Sequence, residues 1–281
     1  MTILRWCLMV GLLVAGSVHA ATVSQSGSTI TVTLGSSDQL QVSNPGTDQL
    51  SFNLTAGNFT AVTAPGFNGA GTSTSTGTLT SVVSLSIVDG APPGAAETVD
   101  FGSWNRMGSL ISAMPITVNM GTDPGDDVSV SDTIDQSTVA AGTTAFQVIN
   151  AYNVSIPGSL GFTSGSVIIN CARNINLTFA CIQLNGPGAL VNLTAAGNII
   201  GDDDTTTADI FNGNGGGISM TASVGPAVNT TITIVNADSS GVPDGTLNIH
   251  NTGTGDVNVA LATGAVPQAG STLRWTKVFP T

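Results

Sequence analysis

The side chains that could do chemistry are few, and most are carboxylates. The densest group is "GDDDTTTAD", in which Asp202, Asp203 and Asp204 follow Gly201 and Asp209 closes the stretch. Clustered carboxylates on one turn offer the several oxygen ligands that Ca²⁺ takes. The same residues also suit a solvated turn, because Asp bonds its own backbone and keeps a loop soluble. A second group, "GTDPGDDVSVSD", carries Asp123, Asp126, Asp127 and Asp132 and has the same two readings. Adjacent Asp203 and Asp204 also resemble the paired carboxylates of sugar hydrolysis. Outside the N-terminal segment, however, His250 is the one group that titrates near neutrality. An active site needs a convergent set of such groups. The expectation is therefore no enzyme, no catalytic residue and no cofactor, with Ca²⁺ at Asp202, Asp203, Asp204 and Asp209 as the metal candidate.

Cys171 and Cys181 lie in "NCARNINLTFAC". In an exported chain such a pair can form a disulfide, and its alternative is two buried thiols packed as small hydrophobes. Two cysteines fall short of the four ligands of a structural zinc site.

These groups must be carried by strands. Only 8% of the 281 residues are charged, against about 25% in average proteins, and 35 are glycine. With 41% hydrophobic residues the chain has the means to build a core, which argues against global disorder. Short alternating runs such as "STITVTL", "LTSVVSLSIV", "SVIINC" and "TTITIVNA" recur between Gly, Asn, Asp and Pro. Alternation of period two followed by turn residues predicts strands. The one helical stretch past the N-terminus is "WNRMGSLISAM", worth one or two turns. Ile149, Ile169, Leu193, Met220 and Ile249 hold similar places in similar runs, separated by 20, 24, 27 and 29 residues. Such periods predict a solenoid, in which each coil buries its apolar face on its neighbours. A β-sandwich is the alternative, although its strands recur at closer spacing.

The repeated words "FNLTAGNFTAV", "VNLTAAGNIIGD" and "GGISMTASVG" resemble the coils of filamentous-haemagglutinin-type adhesins and autotransporter passengers. The likeness covers Phe146 to Ala262. It implies a right-handed parallel β-helix with a surface or secreted role. "NLTAAGNI" is then expected to be a coil, with the triple Asp as the loop leaving it. Upstream, "GAGTSTSTGTLTS" and "DGAPPGAAE" suit a cap. Paired aspartates also occur in β-helical polygalacturonases, but the Gly-His and Arg-x-Lys that accompany them there have no counterpart here. A secreted carbohydrate-active or carbohydrate-binding β-helix is the second functional reading.

The first residues, "MTILRWCLMVGLLVAGSVHAAT", have a basic start at Arg5, an apolar run from Cys7 to Ala15, and small residues Val18 and Ala20. This three-part layout is that of a signal peptide for the general secretory pathway, and the run is too short for a stable span. The expected organisation is a signal at 1–20, an irregular β-rich region at 21–115, and β-helix-like repeats at 116–281. With 17 acidic and 5 basic residues the net charge is −12, so no basic face exists to neutralise phosphates. Nucleic acid and anionic membranes are therefore excluded as partners, and no membrane span remains after signal removal. The expected role is adhesive or structural, at the cell surface or secreted, with a surface ligand, glycan or matrix protein as partner.

Overall fold

The computed structural model describes residues 20–104, 108–136, 138–140, 142–162, 165–177, 181–184, 190–197 and 199–200, and beyond them the strand backbones alone. The strands begin with β1 (Thr22–Ser26), β2 (Thr29–Leu34), β3 (Gln39–Ser43), β4 (Gln49–Leu54), β5 (Ala61–Val62), β6 (Phe67–Asn68) and β7 (Thr74–Thr78). They continue with β8 (Ser84–Asp89), β9 (Thr98–Phe101), β10 (Ile116–Asn119), β11 (Asp127–Val130), β12 (Ile134–Gln136), β13 (Thr144–Ala151), β14 (Asn153–Ser155) and β15 (Ser159–Phe162). Then come β16 (Ser166–Cys171), β17 (Ile175–Asn176), β18 (Cys181–Leu184), β19 (Leu190–Ala195), β20 (Ile199–Ile200) and β21 (Ile210–Asn212). The last are β22 (Gly217–Ala222), β23 (Thr231–Asn236), β24 (Thr246–Asn251), β25 (Asn258–Leu261) and β26 (Thr272–Lys277). The helix α1 spans Ser109–Ser112, inside the stretch that the sequence marks as helical.

The protein is all-β, with three sheets of 11, 9 and 6 strands. From β10 to β21 the chain visits the first, second and third sheets in rotation, and from β8 onward every pairing is parallel. Parallel pairing is not that of the antiparallel β-sandwich held as an alternative. In the first sheet Val32, Ile87, Val118, Val148, Ile169 and Leu193 stand in one column, all at 0% exposure. Met220, Ile249 and Trp275 continue its register. The second sheet has its own column of Leu40, Val99, Val128, Val154, Ile175 and Ile199. Burying one such side chain stabilises by about 1.5–3 kcal/mol, so the columns are the core.

Two expectations need correction. Ile149 is not in the core column; its neighbour Val148 is, paired with Ile169. A bulge in β13 places Asn150 at φ 58° and shifts the register, and a one-residue slip turns a side chain to the other face. The echo between "FNLTAG" and "VNLTAAG" is not a repeat in space. Phe52–Leu54 lies in β4, antiparallel to β3 and β7 in the second sheet, whereas Val191–Ala195 lies in β19, parallel to β16 and β22 in the first.

The N-terminal strands supply four antiparallel pairs, β1 with β2, β3 with β4, β4 with β7 and β6 with β7. Gly27, with φ 58°, makes the tight turn between β1 and β2. β2 and β3 already pair in parallel with β8 and β9, which pair in turn with β10 and β11. The expected boundary at 115/116 therefore falls inside continuous sheets. α1 sits beside β12, the edge strand of the third sheet, and is joined to it by Thr138 N–H to Ser112 C=O at 3.2 Å. Its N-terminus has no side-chain cap of its own, and Asp48 supplies one by accepting the N–H groups of Leu110 and Ile111.

Candidate functional site

Three successive turns carry the chain from the first sheet to the second: Leu34 to Gln39, Asp89 to Thr98, and Asn119 to Asp127. In each, the residue just before the second-sheet strand is an acid: Asp38, Glu97 and Asp126. The register Gln39–Thr98–Asp127 stacks these three positions on one another. Backbone bonds join them in series, from Thr98 N–H to Asp38 C=O and from Asp127 N–H to Glu97 C=O, both 3.0 Å. The three are the buried carboxylates among the described residues, at 8%, 1% and 0% exposure.

Their oxygens are held by turn N–H groups. Gly35 N–H donates to Asp38 Oδ2 at 2.6 Å, and Ser37 N–H donates to Glu97 Oε1 at 2.6 Å, one coil away. Asp126 accepts from Glu97 N–H at 3.3 Å and from Asp123 N–H at 2.9 Å. Asp89, half-buried, accepts from Ala91 N–H at 2.6 Å. Gly121 makes room for this packing, since a Cβ there would lie 2.6 Å from Asp126 Oδ2 and 3.3 Å from Asp89 Oδ2.

Burial is the first cause of the electrostatics. It pushes Glu97 up to about 7, against the Ser37 N–H bond, and the negative charges of Asp89 and Asp126 push the same way. Asp126 and Asp38 are also raised, chiefly by desolvation, with backbone N–H bonds opposing. Glu97 and Asp126 share a side-chain hydrogen bond that favours the neutral acid at Glu97 and the carboxylate at Asp126. Among the described residues the one basic side chain is Arg173, whose guanidinium lies 5.6 Å from the centre of the Tyr152 ring. Asp89, Glu97 and Asp126 each bring an oxygen within 4.8 Å of the others. Their arrangement is that of an acid–carboxylate pair seated on backbone donors. At 1% and 0% exposure, Glu97 and Asp126 offer almost no surface to a substrate.

The expected sites fare differently. Asp202, Asp203, Asp204 and Asp209 lie outside the described residues, as does the signal at 1–19. The other aspartate run does not converge. Asp126 turns inward, while Asp123 accepts from Gly94 N–H, Asp127 from Asn153 N–H, and Asp132 from Trp104 N–H. Cys171 is a free buried thiol, pushed by burial to about 11. Cys181 opens β18, and its side chain is outside the described residues. The backbone of His250 pairs with Thr221 and Thr276.

Sequence reasoning missed Asp38, Asp89 and Glu97. A signal was available, because Glu97 is the one glutamate of the whole chain and, like Asp38 and Asp126, directly precedes a strand. Comparison with family models, with curated proteins and with solved structures finds no match. Among the described residues no helix is long and apolar enough to cross a membrane.

Proposed function

We propose that the chain is an exported right-handed parallel β-helix with a structural and adhesive role and no catalytic activity. The observation that supports it most is the unbroken register column from Val32 to Leu193, continued by Met220, Ile249 and Trp275. A stack so held is stiff, because each coil is bonded to the next along whole strands, and it presents long outward rows. In the first sheet one row runs Thr31, Ser86, Thr117 and Gln147. Val82, at 49% exposure, is the one exposed large apolar side chain among the described residues. The partner is therefore met through hydroxyl and amide groups, which suits a glycan or the polar surface of a matrix protein.

Expression with the native N-terminus tests the export step: the secreted form is expected to begin at Ala21, and recovery of material starting at Met1 counts against it. For the role, the purified chain is incubated with immobilised glycans and matrix proteins, and separately with soluble polysaccharides. Saturable binding without release of reducing ends is expected. Turnover of a polysaccharide would replace the adhesive reading with the carbohydrase.

A further inference from the structure

We propose that the stacked acids Asp38, Glu97 and Asp126 form a proton-operated lock, holding the turns between the first two sheets tightest in mild acid and loosening them as the surroundings become neutral. The geometry supports this first. Each acid lies at the same place in successive coils, and its oxygens hold the turn of its own coil or of a neighbour. Ser37 N–H reaches across to Glu97, and Glu97 N–H reaches across to Asp126. The groups facing Glu97 are Asp89 and Asp126, both acidic, with Asp123 behind Asp126. Asp38 precedes Glu97 in the stack, and Tyr152 follows Asp126, its N–H donating to Asp126 C=O at 2.7 Å. Ionised Glu97 therefore faces a carboxylate with no described cation beside it. Neutral Glu97 donates a proton to that carboxylate instead, a charge-assisted bond that is stronger than a neutral one.

The sign follows from linkage. An ordinary glutamate titrates near 4.3 in an unfolded chain, whereas burial holds Glu97 at about 7 in the folded one. Between those values the folded state binds more protons than the unfolded state, so stability falls as pH rises. Asp126 and Asp38 are raised in the same direction and add to the fall at its acid end. Stability from this lock is complete at mildly acidic pH and is lost through pH 7.

Glu97 is the only glutamate, so selective ¹³C-glutamate labelling of the whole chain gives one side-chain carboxyl resonance. Its titration midpoint is expected near 7, and a midpoint below 5 overturns the proposal. In parallel, melting is followed from pH 4.5 to 8 for the wild type, Glu97→Gln and Asp135→Asn. Glutamine accepts from Ser37 and donates to Asp126 as the protonated acid does. Its melting temperature should therefore fall less across this range and exceed that of the wild type at pH 8. Asp135 is exposed, so its variant removes one charge without touching the lock and should keep the wild-type slope. If Asp135→Asn flattens the profile as much as Glu97→Gln, the slope comes from net charge and the lock is refuted. Each profile is repeated with Ca²⁺ and with a chelator. Wild-type stabilisation by Ca²⁺ at pH 8 that Glu97→Gln abolishes would show a cation site in place of a proton lock.

Discussion

Residues 22–78 fold largely through antiparallel pairs, two of them joined by short turns, whereas every pairing from β8 onward joins strands at least a full coil apart in sequence. The closest partners in the first-sheet column, Val148 and Ile169, are separated by 21 residues. The N-terminal region therefore closes much of its bonding locally. The stack gains nothing until a neighbouring coil is in place, because loop closure must come before the contacts that reward it. The two regions nevertheless share one set of sheets, through β2 and β3 pairing with β8 and β9. The antiparallel strands thus work as a closed end for an otherwise open stack, which is how natural proteins manage exposed edges.

The comparison can be broken most strongly at its two cores. Phe52, fully buried, stacks on Phe67 with ring centroids 5.6 Å apart, and Phe52→Ala should cost about 3–5 kcal/mol. Leu193→Ala in the stack should cost about 2–5 kcal/mol. Chemical denaturation measures both, and hydrogen exchange separates them. The Phe52 variant should lose protection first in β4, β6 and β7, and the Leu193 variant first in β16, β19 and β22. Identical loss patterns would mean that the two regions form one cooperative unit, and the contrast drawn here would fail.

A smaller effect is expected where the regions meet. A Cβ at Gly108 would lie 2.2 Å from the Asp48 carboxylate that caps α1. Gly108→Ala should therefore cost about 1–3 kcal/mol by forcing the cap aside. A melting temperature equal to that of the wild type would show that Asp48 moves freely and that α1 does not depend on it.

The smallest expected change has the opposite sign. Ser75 Oγ is buried in β7 without a hydrogen-bond partner. Ser75→Ala removes that orphan and should raise stability by about 1 kcal/mol, visible as a higher denaturation midpoint at unchanged slope. Destabilisation instead would mean that the hydroxyl has a partner in solution. Cys171 serves as a probe of the stack itself. Buried and held at about 11, it should react with an alkylating agent at neutral pH only as fast as its coil opens. Rapid labelling under native conditions would show that the stack opens there without unfolding.

Much of this architecture was legible in the sequence. Alternation with period two named strands such as "STITVTL" and "SVIINC", and it put Leu193 inside, because side-chain direction along a strand is set by backbone geometry alone. The spacing of Ile169, Leu193, Met220 and Ile249 gave the register of successive coils, since each coil must return its apolar residue to the same column. Other features depended on the tertiary structure. "FNLTAG" and "VNLTAAG" specify the same strand with the same inward leucine, yet one pairs antiparallel and the other parallel, because strand partners are chosen by whichever edge is free nearby. Ile149 looked like a core residue until the bulge at Asn150 turned it outward. The acid ladder is the clearest case. Asp38, Glu97 and Asp126 are 59 and 29 residues apart in the chain, and nothing local marks them as neighbours. They meet because turns of different length lead into strands in common register, and only that stacking takes their carboxyl groups out of water and makes their protons matter.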